Sequence, residues 1–84
     1  MKIYKYGNDN KKNIIGSQLK SLRIKQNMSQ RDLATKLQLL GLQWSDLTVL
    51  RTEQGTRFVA DYEVAVIASY FNVSTDSLLN IFNN

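Results

Sequence analysis

The run "LQLLGLQWSDLTVLR" at residues 37–51 constrains the fold more than any other stretch, because one glycine interrupts an otherwise apolar-rich sequence. An unbroken helix here would be a long core or pairing element, whereas a break at Gly41 would leave two short helices and a bend. Gly41 is a natural helix terminator. Ser45 then offers a new N-cap, and the carboxylate of Asp46 suits the positive end of a helix dipole. The run therefore predicts two helices, of which the second begins at Asp46.

Start and stop signals of the same kind recur through the rest of the chain, and together they predict five short helices. Ser29, with Asp32 three residues later, has the pattern of a capping box. Asparagine and glycine tolerate the left-handed backbone that commonly ends a helix. The predicted caps are Asn13, Ser29, Ser45, Asp61 and Ser74, and the predicted terminators are Asn27, Gly41, Gly55 and Asn72. Apart from a weak alternation in "MKIYKY" the sequence has no strand pattern, so the predicted fold class is all-α.

Apolar residues at helical spacing mark the expected core. The positions expected to be buried are Ile15, Leu19, Leu22, Leu33, Ala34, Leu37, Leu40, Trp44, Val49, Val64, Ile67, Ala68, Phe71, Leu78, Leu79 and Phe82. A chain of 84 residues suits one domain with a small core, which pairing with a second copy would stabilise. Leu79, Ile81 and Phe82 offer more apolar surface than that core can use, so the last helix is the expected homodimer contact.

Positive charge is concentrated near the N-terminus. Residues 1–13 have a balance of +3, whereas the rest of the chain together has only +1. The lysines of this segment are Lys2, Lys5, Lys11 and Lys12. We therefore divide the chain into a basic N-terminal arm at 1–13 and a folded domain at 14–84. A basic arm is typical of segments that contact nucleic acid, and a frayed, solvated terminus is the alternative.

The chain lacks the residues on which several classes of protein depend for their function. The chain has no Cys and no His, so it has no disulfides, none of the usual zinc ligands and not the commonest general base. It contains no glycine-rich phosphate loop and no nucleophile motif, so we expect a protein that is not an enzyme and needs no cofactor or metal. No apolar run reaches the roughly 18 residues of a membrane span, and the first residues lack a signal-peptide block. We expect a cytoplasmic protein with no membrane contact and no small-molecule ligand.

The stretches "IGSQLKSLRIKQNMSQRDLATKL", "TVLRTEQGTRF" and "IASYFNVSTDSLL", in this order, resemble the lambda-repressor-like helix-turn-helix family of Cro, phage repressors and XRE-type regulators. The resemblance covers residues 14–82, and its most specific parts are "MSQ" and "EQGTR". In that family five helices pack together, with helix 3 in the DNA major groove and helix 2 across the backbone. The resemblance thus implies a single five-helix domain that binds double-stranded DNA.

The resemblance also implies roles for individual residues. The groove-facing side of helix 3 would hold Asp46, Leu47, Thr48 and Arg51. Gln30 and Ser45, at two helix starts, would touch phosphates or support base-reading side chains, and Arg57 would contact the DNA backbone from its loop. Arg23 and Glu53 would form a buried ion pair between helices 1 and 3. Independently of the resemblance, the lysines of the basic arm are expected to follow phosphates or the minor groove.

Each of these residues has a second interpretation. Asp46 could accept a hydrogen bond from a cytosine amino group, or it could only complement the helix dipole. Leu47 could meet a thymine methyl group or pack on a protein partner. Arg51 could bind guanine through its forked guanidinium or could hold a phosphate. Arg23 and Glu53 could instead form an exposed surface pair.

The sequence departs from the family pattern at three places. The connection between helices 2 and 3 is about five residues longer than the short turn of the basic motif. Thr52 stands where a buried Ile or Leu is usual. Asp46 and Leu47 occupy positions where Arg, Gln or Ser is more common.

Two functions remain open from the sequence. One is sequence-specific binding of double-stranded DNA by a transcriptional regulator, a repressor that acts as a homodimer. The other is a protein-interaction module on the same fold, such as an antitoxin or an anti-repressor. The family resemblance favours the first function. The nearly neutral body and the face formed by Asp46, Leu47 and Leu50 favour the second.

Overall fold

A computed structural model describes residues 11–80, in which the regular structure is helical and no strand occurs. The helices are α1 (Gly16–Lys25), α2 (Gln30–Leu39), α3 (Asp46–Gln54), α4 (Asp61–Phe71) and α5 (Thr75–Leu79). The prediction of an all-α chain with five helices is confirmed for these residues. The expectations for Lys2, Lys5, Ile81 and Phe82 lie outside the described part of the chain. None of the helices within residues 11–80 combines the length and apolar character needed to cross a bilayer.

The run at residues 37–51 is broken, as the sequence predicts. α2 ends just before Gly41, whose backbone is left-handed with a φ of 98°. The connection to α3 packs against the core through two buried side chains, those of Leu42 and Trp44. The Gln38 amide donates to the Trp44 carbonyl oxygen at 2.7 Å and joins this connection to α2. The extra residues of the connection therefore contribute to the core.

Side-chain caps begin most helices where the sequence predicts them. Ile15 rather than Asn13 directly precedes α1, but the Asn13 side-chain oxygen accepts the N–H groups of Ile15 and Gly16 at 3.1 Å and 3.0 Å. Ser29 and Asp32 form the predicted capping box of α2. The hydroxyls of Ser45 and Ser74 each accept the backbone N–H three residues later. All four predicted terminators have a positive φ and lie at or just after a helix end. They are Asn27, Gly41, Gly55 and Asn72.

Two local expectations are wrong. Asp61 is the first residue of α4 rather than its cap, and the Glu63 carboxylate instead accepts the Ala60 N–H at 2.9 Å. Leu40, expected in the core, is 50% exposed. α2 ends one residue before Leu40, so this side chain no longer follows the helical period that buries its predecessors.

The core draws on all five helices and on the connection between α2 and α3. Its buried apolar side chains are Ile15, Leu19, Leu33, Ala34, Leu37, Leu42, Trp44, Val49, Ile67, Ala68, Phe71 and Leu78. Leu22, Val64 and Leu79, also expected in the core, are half-buried and pack against it. The helical spacing of apolar residues therefore predicts most of the core.

α3 is seated against both α1 and α2. A Cβ atom at Gly16 would lie 2.6 Å from the Thr52 carbonyl oxygen, so α1 begins in direct contact with the α3 backbone and glycine is needed there. Thr52 itself is fully buried although it is polar. Its hydroxyl donates to the Thr48 carbonyl oxygen at 2.8 Å, which satisfies the group without an outside partner.

Residues 11–13, here called the N-terminal strap, lie against the C-terminal end of α3. The Lys12 N–H donates to the Gly55 carbonyl oxygen at 2.7 Å. The Asn13 amide donates to two carbonyl oxygens, including that of Arg57 at 2.8 Å. The strap, which is part of the predicted arm at 1–13, is therefore hydrogen-bonded to the folded domain. Charge composition alone does not reveal hydrogen bonds between residues so far apart in the chain.

Candidate nucleic-acid interface

The outward side of α3 borders an open cleft of about 280 Å³. The cleft is lined by Ser45, Leu47, Thr48, Arg51, Thr56 and Arg57. The opposite side of α3 is buried through Val49 and Thr52, so this helix presents a single face to solvent. Five of the residues predicted to bind DNA thus lie together around one cleft.

Arg51 and Leu47 point outward from this face, and neither side chain is hydrogen-bonded or ion-paired to another of residues 11–80. Arg51 is exposed, and its guanidinium makes no hydrogen bond or ion pair within residues 11–80. Leu47 is 46% exposed. The two residues are four positions apart, so their side chains lie on the same side of α3, one turn from each other. A flat partner could therefore contact both at once.

The polar side chains at the start of α3 are bonded to the helix itself. The Ser45 hydroxyl accepts the Thr48 N–H at 3.2 Å, and the Thr48 hydroxyl accepts the Ser45 N–H at 3.1 Å. One oxygen of Asp46 accepts the Leu47 N–H at 2.9 Å, and the other lies 3.8 Å from a nitrogen of the exposed Arg31. These contacts match the helix-start interpretation of Asp46 given from the sequence.

A buried ion pair fixes α3 to α1. The Arg23 Nε donates to a Glu53 oxygen at 2.6 Å, and the two side chains are only 11% and 4% exposed. The hydrogen bond with Glu53 raises the pKa of Arg23, and burial opposes that shift less strongly. Gln30 donates to the other oxygen of Glu53 at 3.1 Å and so adds α2 to the network. The predicted pair is present and buried, and Gln30, predicted to touch DNA, has an internal partner.

Arg57 also has an internal partner. Its two terminal nitrogens donate to the two oxygens of Glu63, at 3.1 Å and 3.0 Å, and its guanidinium stacks 4.8 Å from the centre of the Trp44 ring. The Trp44 indole N–H donates to Glu63 as well, at 3.0 Å. Arg57 still lines the cleft, but its charge is balanced by a buried carboxylate. The expected contact with a DNA phosphate would therefore compete with Glu63.

Glu63 is the site residue that the sequence analysis missed. Burial by itself raises the pKa of this carboxyl, but the hydrogen bonds from Arg57, the Ala60 backbone and the Trp44 indole outweigh it and leave the pKa lowered. An acidic residue three positions after Ala60, in the first turn of α4, was an available signal for a reach-back cap. No sequence spacing indicates that Trp44 and Arg57 meet the same carboxylate.

Two of the predicted arm lysines are held at the C-terminal end of α3. The Lys11 ammonium donates to the Gln54 carbonyl oxygen at 2.8 Å, a position in which a cation complements the helix dipole. The Lys12 ammonium lies 5.3 Å from the centre of the Phe58 ring. Both lysines are exposed and add positive charge near the C-terminal end of α3.

Within residues 11–80, no three acidic side chains lie close enough together to share a metal ion. No protein-family model, no curated protein and no solved structure matches this chain. The resemblance in the sequence and the side-chain geometry of α3 are therefore the observations on which a function can be proposed.

Replacing Glu53 with alanine should lower the free energy of unfolding by about 3–5 kcal/mol, because it leaves the buried Arg23 guanidinium without its carboxylate. Arg31→Ala is the matched control, since the Arg31–Asp46 pair is exposed and should contribute below about 1 kcal/mol. Urea denaturation of both variants measures the difference. Equal midpoints for the two variants would contradict the structural importance of the buried pair.

Glu63→Gln should change how stability depends on pH. The lowered pKa means that the folded protein holds the Glu63 charge more strongly than the unfolded chain does. This stabilisation is complete above the ordinary glutamate pKa of about 4.3 and is lost as the pH falls through it to the lowered value. The stability gap between wild type and Glu63→Gln, measured by thermal melting, should therefore be widest near neutral pH and narrow in acid. A gap that stays constant into acid would count against a charged Glu63.

Proposed function

We propose that this protein is a sequence-specific regulator that binds double-stranded DNA as a homodimer and acts as a repressor, with α2 and α3 forming a helix-turn-helix of the lambda-repressor-like type. The observation that carries the proposal is the outward face of α3. There an arginine without an ion-pair partner among residues 11–80 and an exposed leucine lie on a helix whose other face is buried. A helix of this kind fits the major groove, which is wide enough to admit it.

The fixed position of α3 supports the same proposal. Base edges are read only by side chains held at a defined height and angle, so a reading helix needs rigid support. The Glu53 network joins α3 to α1 and α2, and the N-terminal strap bonds to the end of α3. In this proposal Gln30 positions α3 through Glu53, and its exposed atoms lie close to the DNA backbone.

Positive charge around α3 supplies the contacts to phosphate. Lys11 and Lys12 are exposed beside the C-terminal end of the helix, and Lys2 and Lys5 precede them in the sequence. Such contacts orient a protein on DNA without reading its sequence. We assign these lysines to the backbone, together with the polar groups of Ser45, Thr48 and Arg57 at the rim of the cleft.

A homodimer follows from the small size of one such face. Paired recognition helices reach two half-sites about one DNA turn apart, some 34 Å, and a two-fold protein then matches a two-fold operator. The proposed function requires no catalysis, cofactor or small-molecule ligand. Acting on DNA, the protein would work in the cytoplasm.

Exposed leucines favour a second candidate, a protein-interaction module such as an antitoxin or an anti-repressor. Leu39 is 78% exposed and Leu40 is 50% exposed at the end of α2. Exposed apolar side chains that lie close together are typical of protein contacts. Binding through these leucines would depend little on salt, whereas DNA binding weakens steeply as salt rises because phosphate contacts release counterions.

Selection from a pool of random duplexes by the full chain tests the proposal. A sequence-specific protein should enrich one two-fold motif, with two chains per duplex, and its affinity should fall linearly with salt on logarithmic axes. Arg51→Ala should then weaken binding to the enriched duplex by about 1–3 kcal/mol and affect random DNA much less.

Lys25→Ala is the matched control for that experiment. Lys25 is an exposed cation two helical turns after Gln18, whose side chain donates to a carbonyl oxygen of α5, so it lies on the side of α1 that faces α5. This variant should bind like the wild type. Failure to enrich any sequence, or equal losses for Arg51→Ala and Lys25→Ala, would contradict the proposed function.

A further inference from the structure

We infer that each half-site contains a guanine bound by Arg51 and a thymine whose methyl group contacts Leu47, within two base steps of each other. This inference rests on the proposed DNA-binding function and makes its specificity explicit. It follows from which side chains of α3 remain free to read a base, from their chemistry and from their separation.

Most polar side chains on the outward face are already engaged. Ser45 and Thr48 bond to each other's backbone, and one oxygen of Asp46 accepts the Leu47 N–H. A base that displaced these contacts would also break the capping hydrogen bonds of α3, which stabilise the start of the helix. Gln54 lies on the same side, but it is at the C-terminal end of the helix, whereas base edges are met mainly by the N-terminal residues of such helices. The second oxygen of Asp46 lies 3.8 Å from the exposed Arg31, whereas Leu47 and Arg51 have no side-chain partner within residues 11–80, so we assign base reading to these two.

The Leu47 side chain has no atom that can form a hydrogen bond, and for this reason it favours thymine over the other bases. The major-groove edges of the bases present donors and acceptors, with one apolar group among them, the thymine methyl. A leucine side chain that is 46% exposed at the second position of α3 would leave those donors and acceptors unpaired over any other base. Leu47 therefore fits a T·A pair and disfavours the alternatives through desolvation.

Arg51 selects guanine because its guanidinium offers hydrogen-bond donors that are free to bind a base. Its guanidinium has no partner within residues 11–80, so binding a base requires no internal bond to break. Two parallel N–H groups match the O6 and N7 atoms of guanine, which no other base presents together. The contrast is Arg57, whose two terminal nitrogens are both bonded to Glu63.

The spacing along the helix sets the spacing in DNA. Four residues of α-helix advance about 6 Å, and successive base pairs are stacked about 3.4 Å apart. Side chains at Leu47 and Arg51 therefore reach base pairs that are adjacent or one step further apart. A guanine and a thymine separated by more than this cannot both be read by one α3.

Single-atom changes in the selected duplex test both contacts. The probe is the duplex that the full chain enriches from a random pool, resynthesised with uracil for the thymine or with 7-deazaguanine for the guanine. Uracil removes only the methyl group and should weaken wild-type binding about fourfold, the effect of one buried carbon. The 7-deaza base lacks the N7 acceptor and should weaken binding about tenfold.

The variants assign each effect to one side chain. Leu47→Ala should bind the thymine and uracil duplexes equally while keeping its response to 7-deazaguanine. Arg51→Ala should show the reverse pattern, so each variant serves as the folding control for the other. Leu39→Ala, at an exposed leucine of α2, should keep both responses.

The outcomes of this experiment distinguish a failure of this inference from a failure of the proposed DNA-binding function. If no sequence is enriched, DNA recognition itself fails, and the inference fails with it. If a sequence is enriched but lacks a guanine and a thymine within two steps, the inference is overturned while DNA binding stands. The same conclusion follows if Leu47→Ala still responds to uracil as the wild type does.

Discussion

The Glu53 carboxylate joins the three helices on which the proposed site depends. It belongs to α3 and accepts hydrogen bonds from Arg23 of α1 at 2.6 Å and from Gln30 of α2 at 3.1 Å. A buried carboxylate without such partners is strongly disfavoured, so the three helices must keep the positions that supply them. Close packing at Gly16, where α1 touches the α3 backbone, adds a steric limit to the same arrangement. The position of α3, and with it the position of its outward face, is therefore fixed relative to α1 and α2.

The residues around α3 explain why few of its side chains are free to contact a partner. The caps, the bonds of Trp44 and Arg57 to Glu63, and the N-terminal strap use polar groups near the helix for internal bonds. Arg51 and Leu47 are among the side chains of this face that make no such bond within residues 11–80 and remain outward. Specific recognition would then come from two contacts of opposite character, set on a rigid support, while exposed lysines nearby supply charge. The same bonds reduce the freedom of Arg57, which the sequence alone suggests is available to a phosphate.

The sequence predicts the features that depend on neighbours in the chain. Caps such as Ser29 and terminators such as Gly55 act within one helical turn, and helical spacing identifies most of the core. The missed features depend on contacts across the fold. The partners of Glu63 come from two other segments, and the strap bonds to residues about forty positions away. Leu40 was misplaced because the end of a helix is less certain in a sequence than its centre. The Arg23–Glu53 pair was predicted only through the family resemblance, since their spacing carries no local signal.

The most direct test of the central claim, that the outward face of α3 meets DNA, is a titration of ¹⁵N-labelled protein with its enriched duplex followed by NMR. The account predicts that the largest shifts fall on residues 46–51 and on the Arg51 side-chain N–H. Signals from Leu39 and Lys25 should remain in place. Shifts concentrated at the exposed leucines of α2, with the Arg51 side chain unchanged, would contradict the account and point to a protein-binding surface.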